Sequence, residues 1–549
     1  MISLIMKIKI SLTLFLLMLV AMSGQAQWQK NALYLGGDLS MLPYCEQQGK
    51  IYLDDNGQPV GDLLRWLKEK RNFNSIRVRL FVDPSHAPEE QREWGAIQDL
   101  DYVKALGKRI KDLGMSFMLD FHYSDTWADP SQQIIPLDWK SLTNEELYET
   151  IYNYTKQTLQ ELTAAGAKPD LIQIGNEISL GMLRGDNWEY YCVMDSPEST
   201  WERLVRLLQQ ASKACREVCP EAGIIIHTEK VNEIDYLQFF YEKMRDVDYD
   251  IIGTSYYREW HGDIAGLDRA LTMLEQKFSD KVIMDVETNS CQWADEKENY
   301  EFTKSELGQN DFTRAVIETL WQHPHVTGLY WWQPEHSIVS LWDQETGRPL
   351  LALSTLMTFL NKNSEGHAPD VTFQYLNNPL FSFNLSGWTN TGGTAFWREN
   401  TWEMINNYCD FEWTGQPIVD QEVVQFPELP VGKYRLSASC ASDGDSRGLY
   451  LVAGDSKQEM PGTGTPVTYS LIFSVSAAGP VKLGFKVQDT TASWANLDNF
   501  RLERMDATAI SDISYKPKEM QGIYNLTGQR LNKPKKGINI IGGRKVIAK

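Results

Sequence analysis

Residues 171–177 read LIQIGNE, and this stretch shows how the first two thirds of the chain are built. A short apolar run meets Gly175 and then delivers Asn176 and the charged Glu177 at the point where a buried strand would end. Seven further β-rich runs lie between about residues 33 and 360. Segments at helical spacing separate many of them, which is typical of repeated βα units. The eight predicted strands comprise residues 34–38, 75–81, 116–122, 171–177, 223–228, 251–257, 281–287 and 328–332.

Eight such units predict an α/β fold, a (β/α)₈ or TIM barrel, for residues 27–362. The active sites of these barrels lie at the C-terminal ends of the strands, so the end of each run carries the functional signal. Ordinary buried strands would end in the Gly, Asn, Asp and Ser residues of turns, whereas these runs end in charged and aromatic side chains. The strand ends that predict a site are Asp38, Arg79, His122, Glu177, His227, Tyr256, Tyr257, Glu287, Trp331 and Trp332.

A different pattern follows the barrel. The segment NKNSEGHAP, which starts at Asn361, has the composition of a linker. Short β-rich runs with Gly, Pro and Asp between them then predict an all-β, jelly-roll-like sandwich over residues 370–505. Residues 506–549 are basic and Gly-punctuated, which predicts a short C-terminal β module or a flexible tail, and they resemble a cell-surface sorting module. Five tryptophans of the sandwich form either a carbohydrate-binding platform or part of its core: Trp388, Trp397, Trp402, Trp413 and Trp494.

The first 26 residues have the features of an export signal. Lys7 and Lys9 precede the apolar run SLTLFLLMLVAM, and a small-x-small site, Gly24-Gln25-Ala26, follows it. The apolar run is too short for a bilayer span, so the pattern predicts a cleaved signal peptide and no transmembrane span. We therefore expect a protein that is periplasmic, held at the cell surface or secreted.

The composition restricts the partner. A net charge of -20 argues against nucleic acid, whose phosphates are bound by clusters of Lys and Arg, although solubility alone also explains the acidic excess. The 18 tryptophans suit flat, weakly charged ligands such as sugars. Seven cysteines permit disulfides, but Cys215 and Cys219 are interpreted as two buried thiols because no matching His or Cys pair stands near them.

Two of the strand-end residues are carboxylates, Glu177 and Glu287. Closure of the barrel can bring them face to face, and a retaining glycosidase needs such a pair, one as acid and then base and the other as nucleophile. A lone strand-end Glu is usually a solvated or ion-paired residue. Two strand-end glutamates beside aromatic strand ends instead favour a catalytic pair, with Glu177 as acid/base and Glu287 as nucleophile.

The neighbours of this pair have expected roles in the same chemistry. Asn176 would donate a hydrogen bond to the sugar 2-hydroxyl, an interaction that strengthens as the transition state forms. Arg77 and Arg79 share one face of a strand, so either of them could hold Glu287 ionised. Tyr256 or Tyr257 would orient the same carboxylate.

Longer motifs carry a resemblance to a known family. Over about residues 30 to 360 the chain resembles the endo-β-1,4-galactanases of glycoside hydrolase family 53. The motifs that show the resemblance are IGNE, VETNS, YLGGDLSMLPYCEQQG, SIRVRLFVDP and LDFHYSDTWADPSQQIIPLDW. The resemblance implies β-1,4-galactan, a side chain of pectin, as the polysaccharide substrate. It also implies that Glu177 is the proton donor and Glu287 the nucleophile. The resemblance also implies that eight residues of this chain correspond to family positions around the central sugar-binding subsites: Asp38, Ser40, His122, Asp125, Trp127, Asn176, Tyr256 and Tyr257.

Several of these residues have a plain structural alternative. His122 could instead be a packed residue that holds its loop, and Asp38 and Ser40 could start a turn or cap a helix. Trp127 and Trp332 could be core aromatics, but an indole at a barrel mouth is well placed to stack on a sugar ring, and we expect sugar contact for at least one of them.

We expect a monomer with no required cofactor and no metal at the catalytic site. Some members of the family carry an Asp- and Gly-rich calcium loop after the seventh strand. Residues 290–311 of this chain are acidic but lack an alternating ligand series, so structural calcium is possible without a clear motif for it. Two alternatives to galactanase activity stay open at this point. One is a β-mannanase or β-glucanase with the same carboxylate pair, and the other is a non-catalytic surface protein that binds glycans.

Overall fold

The structure is a computed structural model, and the predicted signal peptide and Trp402 lie outside the residues that it describes. These are residues 28–291, 301–362, 368–392, 395–399, 407–413 and 420–505, with the backbone of 523–524, 530–531, 537–541 and 544–548.

Eight parallel strands close into a barrel, which confirms the predicted fold class. Around the barrel the order is β1, β8, β7, β6, β5, β4, β3, β2, so each strand pairs with its neighbours in sequence and the first pairs with the last. The fourth strand ends at Ile174, three residues earlier than predicted. The strands are β1 Tyr34–Asp38, β2 Ser75–Leu80, β3 Ser116–Phe121, β4 Leu171–Ile174, β5 Gly223–Thr228, β6 Ile251–Tyr256, β7 Val282–Thr288 and β8 Val326–Trp332.

Amphipathic helices surround the barrel, and five of the twelve described helices begin at a residue whose side chain caps the first turn. In α5 the Thr143 hydroxyl and the Glu146 carboxylate form a reciprocal capping box, which satisfies amide groups that the first turn leaves free. Within the described part of the chain, each helix is too short or too polar to cross a bilayer. The helices are α1 Leu42–Gln47, α2 Leu63–Arg71, α3 Glu89–Glu93, α4 Leu100–Asp112, α5 Asn144–Ala164, α6 Glu198–Val218, α7 Ile234–Lys243, α8 Arg258–His261, α9 Ile264–Lys277, α10 Glu306–Trp321, α11 Leu351–Leu356 and α12 Thr372–Tyr375. Short 3₁₀ turns cover Pro84–His86, Leu137–Trp139, Trp188–Tyr190, Met244–Asp246 and Met357–Asn361.

The barrel has two apolar layers. The larger one lies between strands and helices, and it includes Cys215 and Cys219, which are both buried thiols as predicted. The smaller one fills the barrel interior with side chains such as Met118, Ile225 and Tyr330. Because the N-terminal half of the interior is packed with apolar side chains, polar groups collect at the C-terminal ends of the strands.

The second region is a sandwich of two antiparallel five-stranded sheets. One sheet has the order β9, β12, β19, β15, β16 and the other β10, β11, β20, β14, β17, and β13 pairs with β18. Trp388 and Trp413 lie in the core between the sheets, so neither can belong to a glycan-binding platform. The strands are β9 Thr389–Thr391, β10 Phe396–Arg398, β11 Tyr408–Glu412, β12 Gln421–Gln425, β13 Glu428–Leu429, β14 Gly432–Ser442, β15 Leu449–Ala453, β16 Ser456–Glu459, β17 Val467–Val475, β18 Gly479–Pro480, β19 Leu483–Val487 and β20 Trp494–Arg504.

Barrel and sandwich belong to one compact unit, and Asp370 links them. One oxygen of the buried Asp370 carboxylate accepts hydrogen bonds from Arg314 of α10, at 3.0 Å, and from Arg501 of β20, at 2.7 Å. The other oxygen accepts from the Thr372 amide and hydroxyl. One carboxylate therefore balances a cation from each region.

Asp370→Asn should weaken this link. The substitution removes the negative charge between two arginines, and charged hydrogen bonds of this kind contribute on the order of 2 kcal/mol each. We expect a lower melting temperature in calorimetry, with separate transitions for the barrel and the sandwich. Glu422→Gln, which removes a carboxylate within the sandwich alone, serves as the control and should leave a single transition. An unchanged melting profile of Asp370→Asn would contradict the assigned link.

A second compact unit comprises residues 508–549. The backbone of its described residues forms a four-stranded antiparallel sheet in the order β22, β21, β23, β24. The strands are β21 Ile523–Tyr524, β22 Arg530–Leu531, β23 Gly537–Ile541 and β24 Arg544–Ala548.

Candidate active site

A cleft opens at the C-terminal ends of the barrel strands, and we call it the inner cleft. Both predicted catalytic carboxyl groups line it. Glu177 follows β4, and Glu287 is the penultimate residue of β7. Half of the twelve predicted site residues lie on its wall: Trp127, Asn176, Glu177, Tyr257, Glu287 and Trp332.

The backbone after β4 places Glu177 at the cleft. Gly175 has a φ of 111°, and a Cβ atom there would lie 2.8 Å from the Ile178 side chain, so glycine is required. Glu177 itself has a φ of 46°, in the left-handed region that non-glycine residues rarely adopt. Strain of this kind persists only where the surrounding structure enforces it, and it is frequent at functional sites.

A bulge in β7 directs Glu287 into the same cleft. In the pairing with β6, Thr254 lies opposite Asp285 but Ser255 lies opposite Glu287, so Val286 is an extra residue. A bulge changes the direction of the side chains that follow it. Glu287 consequently faces the cleft, and the residue is nearly buried, with a relative exposure of 4%.

Arg77 is the cation that holds Glu287. Its guanidinium is fully buried, and Nη2 lies 2.7 Å from Glu287 Oε1 and 2.8 Å from Asp120 Oδ2. Nη1 lies 2.8 Å from Asp38 Oδ2. The Tyr257 hydroxyl donates to Glu287 Oε2 at 2.8 Å. Of the two arginines and two tyrosines that the sequence left open, Arg77 and Tyr257 therefore contact this carboxylate.

The Glu177 carboxyl group has different partners, and no cation is among the described hydrogen-bond or ion-pair partners of this side chain. The Ser255 hydroxyl donates to Glu177 Oε1 at 2.7 Å, and His227 Nε2 lies 2.8 Å from the same hydroxyl. His227 Nδ1 lies 2.9 Å from the Gln173 amide nitrogen, 3.3 Å from the Glu177 backbone nitrogen and 3.1 Å from Asn176 Oδ1. Because the Ser255 hydroxyl gives its hydrogen to Glu177, it can only accept from His227 Nε2. We therefore assign the proton of a neutral His227 to Nε2, which donates to Ser255.

The pKa values of the two carboxyl groups are separated by these environments. Burial, the charge of Glu287 and then that of Glu229 raise the pKa of Glu177 well above its ordinary value, and the Ser255 hydrogen bond opposes them. Burial also raises the pKa of Glu287, but Arg77 and Tyr257 act in the opposite direction. Glu177 is therefore the group of the pair that retains its proton to higher pH.

The His227 imidazole stays neutral. Burial and then the nearby Arg77 charge lower its pKa well below the ordinary value. A neutral imidazole adds no positive charge next to Glu177, so it does not favour loss of the Glu177 proton.

Ser255→Ala tests this hydrogen-bond path. The hydroxyl stabilises the ionised form of Glu177, so its removal should raise the Glu177 pKa further. A general acid works only while it is protonated, and activity is lost as the pH rises through its pKa. We expect the basic limb of the kcat/KM profile to move to higher pH, with the maximal rate lowered by about tenfold or less. Thr254→Val removes the neighbouring hydroxyl, which faces Asp285, and should leave the basic limb in place. A shift to lower pH in Ser255→Ala would contradict the path.

Asn176 is fixed at the edge of the cleft. Its Oδ1 accepts from Arg77 at 2.9 Å and from Gln173 at 3.1 Å, and its Nδ2 donates to the Ala128 carbonyl at 2.8 Å. These bonds define the orientation of the amide. The second hydrogen on Nδ2 can then be donated to a hydroxyl group in the cleft.

Two tryptophans form an apolar wall of the cleft. The rings of Trp127 and Trp332 meet edge to face, with centroids 5.9 Å apart. Arg79 lies beneath both, 4.6 Å from the Trp127 ring and 5.0 Å from the Trp332 ring, and its Nη1 contacts Asp38 at 2.8 Å. Arg79 therefore supports the wall from below rather than lining the cleft.

Four further predicted residues also lie away from the cleft wall. Asp38 is enclosed between the two arginines, and the Ser40 hydroxyl accepts from the Arg79 amide. His122 accepts from the Ala128 amide and contacts Asp120, whereas Asp125 accepts from the amides of two neighbouring loops.

Tyr256 faces the opposite side of its strand from the cleft. It packs against Phe312 of α10, and its hydroxyl donates to the Gly262 carbonyl. Tyr256 is therefore a core residue, because successive strand residues alternate between the two faces of the barrel and Tyr257 takes the cleft side.

Several residues that contact the site are not among those predicted from the sequence. Alternation along a strand could have found three of them, because Asp120, Gln173 and Ser255 each lie an even number of residues from a strand-end group. His227 appeared only as a strand end. Trp260, which lines the cleft and is 76% exposed, lies in the four-residue helix α8, which is too short to give a periodic signal.

Among the residues with described positions, no group of three or more His, Cys, Asp or Glu side chains could hold a metal ion. Residues 292–300 of the acidic stretch lie outside that set. The described residues therefore do not test structural calcium, which the sequence leaves possible without a clear motif.

Known proteins with a related sequence or fold agree with this architecture. The sequence profile described as Glycosyl hydrolase family 53 matches residues 34–386. A Niallia circulans protein of uncharacterised activity is 34% identical over 325 residues, which are 56% of this chain and 84% of that protein. A probable arabinogalactan endo-β-1,4-galactanase A of Neosartorya fischeri is 31% identical over 320 residues, 55% of this chain and 83% of that protein. The Ignisphaera aggregans GH53 catalytic domain matches with a TM-score of 0.52 and 29% identity, covering 60% of this chain and 96% of that one. Because the profile spans more than half of its length, the chain belongs to glycosyl hydrolase family 53.

Proposed function

We propose that the protein is an endo-acting, retaining glycoside hydrolase that cleaves internal β-1,4-galactosidic linkages in galactan and arabinogalactan. The observation that carries the proposal is the pair of carboxyl groups in one cleft, with Glu287 held by a buried cation and Glu177 bonded to a hydroxyl. Family membership and the name of the Neosartorya fischeri relative support the choice of galactan.

In the proposed reaction Glu287 attacks the anomeric carbon of the sugar on the glycone side. Glu177 gives its proton to the glycosidic oxygen, the bond between that oxygen and the anomeric carbon breaks, and a galactosyl ester of Glu287 forms. The negative charge of Glu287 disappears in this ester, so the pKa of Glu177 falls and Glu177 can take a proton from water. That water attacks the anomeric carbon, releases Glu287 and gives a product with retained configuration.

Each residue around the pair has a share in this scheme. Arg77 keeps Glu287 ionised for attack, and Tyr257 fixes its second oxygen. Asn176 donates its remaining amide hydrogen to the sugar 2-hydroxyl. The Trp127 and Trp332 wall receives the apolar face of the sugar ring. The chemistry of these groups requires no cofactor.

We also propose that the protein acts as an exported monomer. Lys7, Lys9 and the apolar run behind them support export through a cleaved signal peptide. An extracellular polysaccharide is then accessible to the cleft. Size-exclusion chromatography with light scattering and N-terminal sequencing of the mature protein test the two statements.

The direct test of the function is digestion of a polysaccharide by the purified protein. We expect potato galactan to yield new reducing ends and a rapid fall in viscosity, because internal cleavage shortens chains before monosaccharide accumulates. Mannan and β-glucan in parallel assays should stay intact. Cleavage of mannan or β-glucan instead would favour the rival glycanase activities, and binding of galactan without new reducing ends would exclude a hydrolase.

A further inference from the structure

A single helical turn, α8, lies directly beside the catalytic pair. It begins after Tyr257, whose hydroxyl donates to Glu287 Oε2, and its residues Glu259 and Trp260 line the inner cleft. Four residues form too few intrahelical hydrogen bonds to hold such a turn in place, so its position depends on contacts with the rest of the chain. The partners of α8 therefore decide where the Tyr257 hydroxyl lies.

Two ion pairs join α8 to the segment that precedes α10. The Arg258 guanidinium contacts the Glu301 carboxylate, and Lys304 Nζ lies 3.9 Å from Glu259 Oε1. The four side chains are 15–19% exposed, so solvent screens their charges only in part. We call these two ion pairs the α8 clamp.

The sandwich contacts the far side of the α8 clamp. The hydroxyl of Ser382, a fully buried residue, donates to the Glu301 carbonyl. Phe373 of α12, the helix that leads into the sandwich, packs on Phe302 with ring centroids 4.8 Å apart. Two consecutive residues at the clamp are therefore held by the second region of the protein.

Ser382 is itself fixed within the sandwich. Its amide donates to Asn378 Oδ1 at 3.2 Å, and its carbonyl accepts from the Asn407 side chain. The Trp397 indole N–H donates to the carbonyl of the preceding residue, Phe381, at 2.7 Å. Because these partners belong to the sandwich, the position of the Ser382 hydroxyl is set by the sandwich rather than by the barrel.

A continuous path of contacts thus leads from the sandwich to the nucleophile. It runs from Ser382 through the α8 clamp to Tyr257, the residue directly before Arg258. We propose that Ser382 is a positioning residue of the catalytic site, which keeps the Tyr257 hydroxyl on Glu287. The proposal rests on the proposed function, in which Glu287 is the nucleophile. Contact alone does not demonstrate coupling, so the path requires paired substitutions as its test.

The expected consequence concerns the ionisation of Glu287. The Tyr257 hydrogen bond lowers the Glu287 pKa, so a displaced α8 should raise it. The ionised form is lost as the pH falls through the pKa, so the acid limb of the kcat/KM profile should move to higher pH. The other charged or titratable groups near Glu287 are left in place by a substitution at position 382: Asp38 of β1, Arg77 of β2, Asp120 of β3, Glu177 after β4 and Asp285 of β7.

Ser382→Ala is the first test, with galactan and an aryl β-galactobioside as substrates. We expect kcat/KM to fall about fivefold, the effect of one lost hydrogen bond, and the acid limb to move up by about half a pH unit. Ser442→Ala is the matched control, because the buried Ser442 hydroxyl bonds to Ser446 inside the sandwich, and it should leave the pH profile unchanged. An unmoved acid limb in Ser382→Ala, or an equal shift in both variants, would overturn the proposal.

A double-mutant cycle with Tyr257→Phe tests the path itself. Tyr257→Phe removes the hydroxyl that contacts Glu287, so it should move the acid limb in the same direction. If Ser382 acts through Tyr257, adding Ser382→Ala to that variant should move the limb no further. Additive shifts would show that Ser382 acts by another route.

Hydrogen exchange gives a readout that does not need activity. The Trp260 and His261 amides donate to the Tyr257 carbonyl at 3.1 and 2.8 Å, so their exchange reports the opening of α8. Ser382→Ala should speed this exchange about threefold or more, whereas Ser442→Ala should not. Unchanged exchange in Ser382→Ala would overturn the positioning role. Inactivity of the unmodified protein on both substrates would instead overturn the proposed function, and the exchange would still decide whether the sandwich fixes α8.

Discussion

Glu287→Ala should lower the turnover of galactan by at least about 10⁴-fold, because the galactosyl ester can no longer form. The substitution also leaves space beneath the anomeric carbon, next to Arg77 and Tyr257, which contact the carboxylate. Azide can occupy that space and attack from the side that the carboxylate vacates. With an aryl β-galactobioside we expect azide to restore activity and to give an α-galactosyl azide, identified by nuclear magnetic resonance.

Glu177→Ala is the matched variant for this experiment. It removes the other carboxylate of the cleft but leaves the nucleophile, so the ester still forms from a substrate with a good leaving group. Azide then attacks the ester and gives the β-galactosyl azide. Formation of the α-azide by Glu177→Ala, with none from Glu287→Ala, would reverse the two roles.

Arg77→Met should affect both folding and activity strongly. Arg77 is the buried cation shared by Asp38, Asp120 and Glu287, and removing one partner of a buried ion pair costs about 3–5 kcal/mol. Arg77 also lowers the pKa of Glu287, so the variant should have a higher Glu287 pKa. A nucleophile must be ionised, and its ionised form is lost as the pH falls through its pKa. The acid limb of the kcat/KM profile should therefore move to higher pH.

The stability of Arg77→Met should depend on pH in a defined direction. Without the cation, the buried carboxylates favour their protonated forms, which are populated at low pH. The loss of melting temperature relative to the unmodified protein should therefore be smaller at pH 5 than at pH 8. Arg79→Met provides the control, since Arg79 is equally buried but contacts Asp38 and the tryptophan wall rather than Glu287. An equal shift of the acid limb in both variants would contradict the specific role of Arg77.

The sequence was sufficient to predict the barrel and the presence of Glu177 and Glu287 in one cleft. Hydrophobic runs of strand length, many of them followed by helical spacing, locate all eight strands to within a few residues. Parallel strands in a closed barrel bring their C-terminal ends together, so Glu177 and Glu287 meet although they are far apart in the chain. The longer motifs that resemble a known family then indicated the substrate.

Other parts of the site depend on geometry that a pattern of residue types does not encode. Arg77 and Arg79 share a strand face, and only the positions of the groups around them decide which one reaches Glu287. The bulge at Val286 shifts the register of β7 by one residue, and the sequence there contains no turn residue that would predict a bulge. Burial of Trp388 in the sandwich likewise follows from how the two sheets pack.

The left-handed backbone at Glu177 also has a meaning for evolution and engineering. In the proposed mechanism Glu177 is the general acid, so a position that combines an unfavourable φ with a desolvated carboxyl group has opposite requirements for folding and for catalysis. Asparagine or glycine would relieve the conformation and remove the ionisable group at once, so selection for thermal stability alone would drift toward an inert protein. Stabilising substitutions for industrial use should therefore be sought far from residues 175–177.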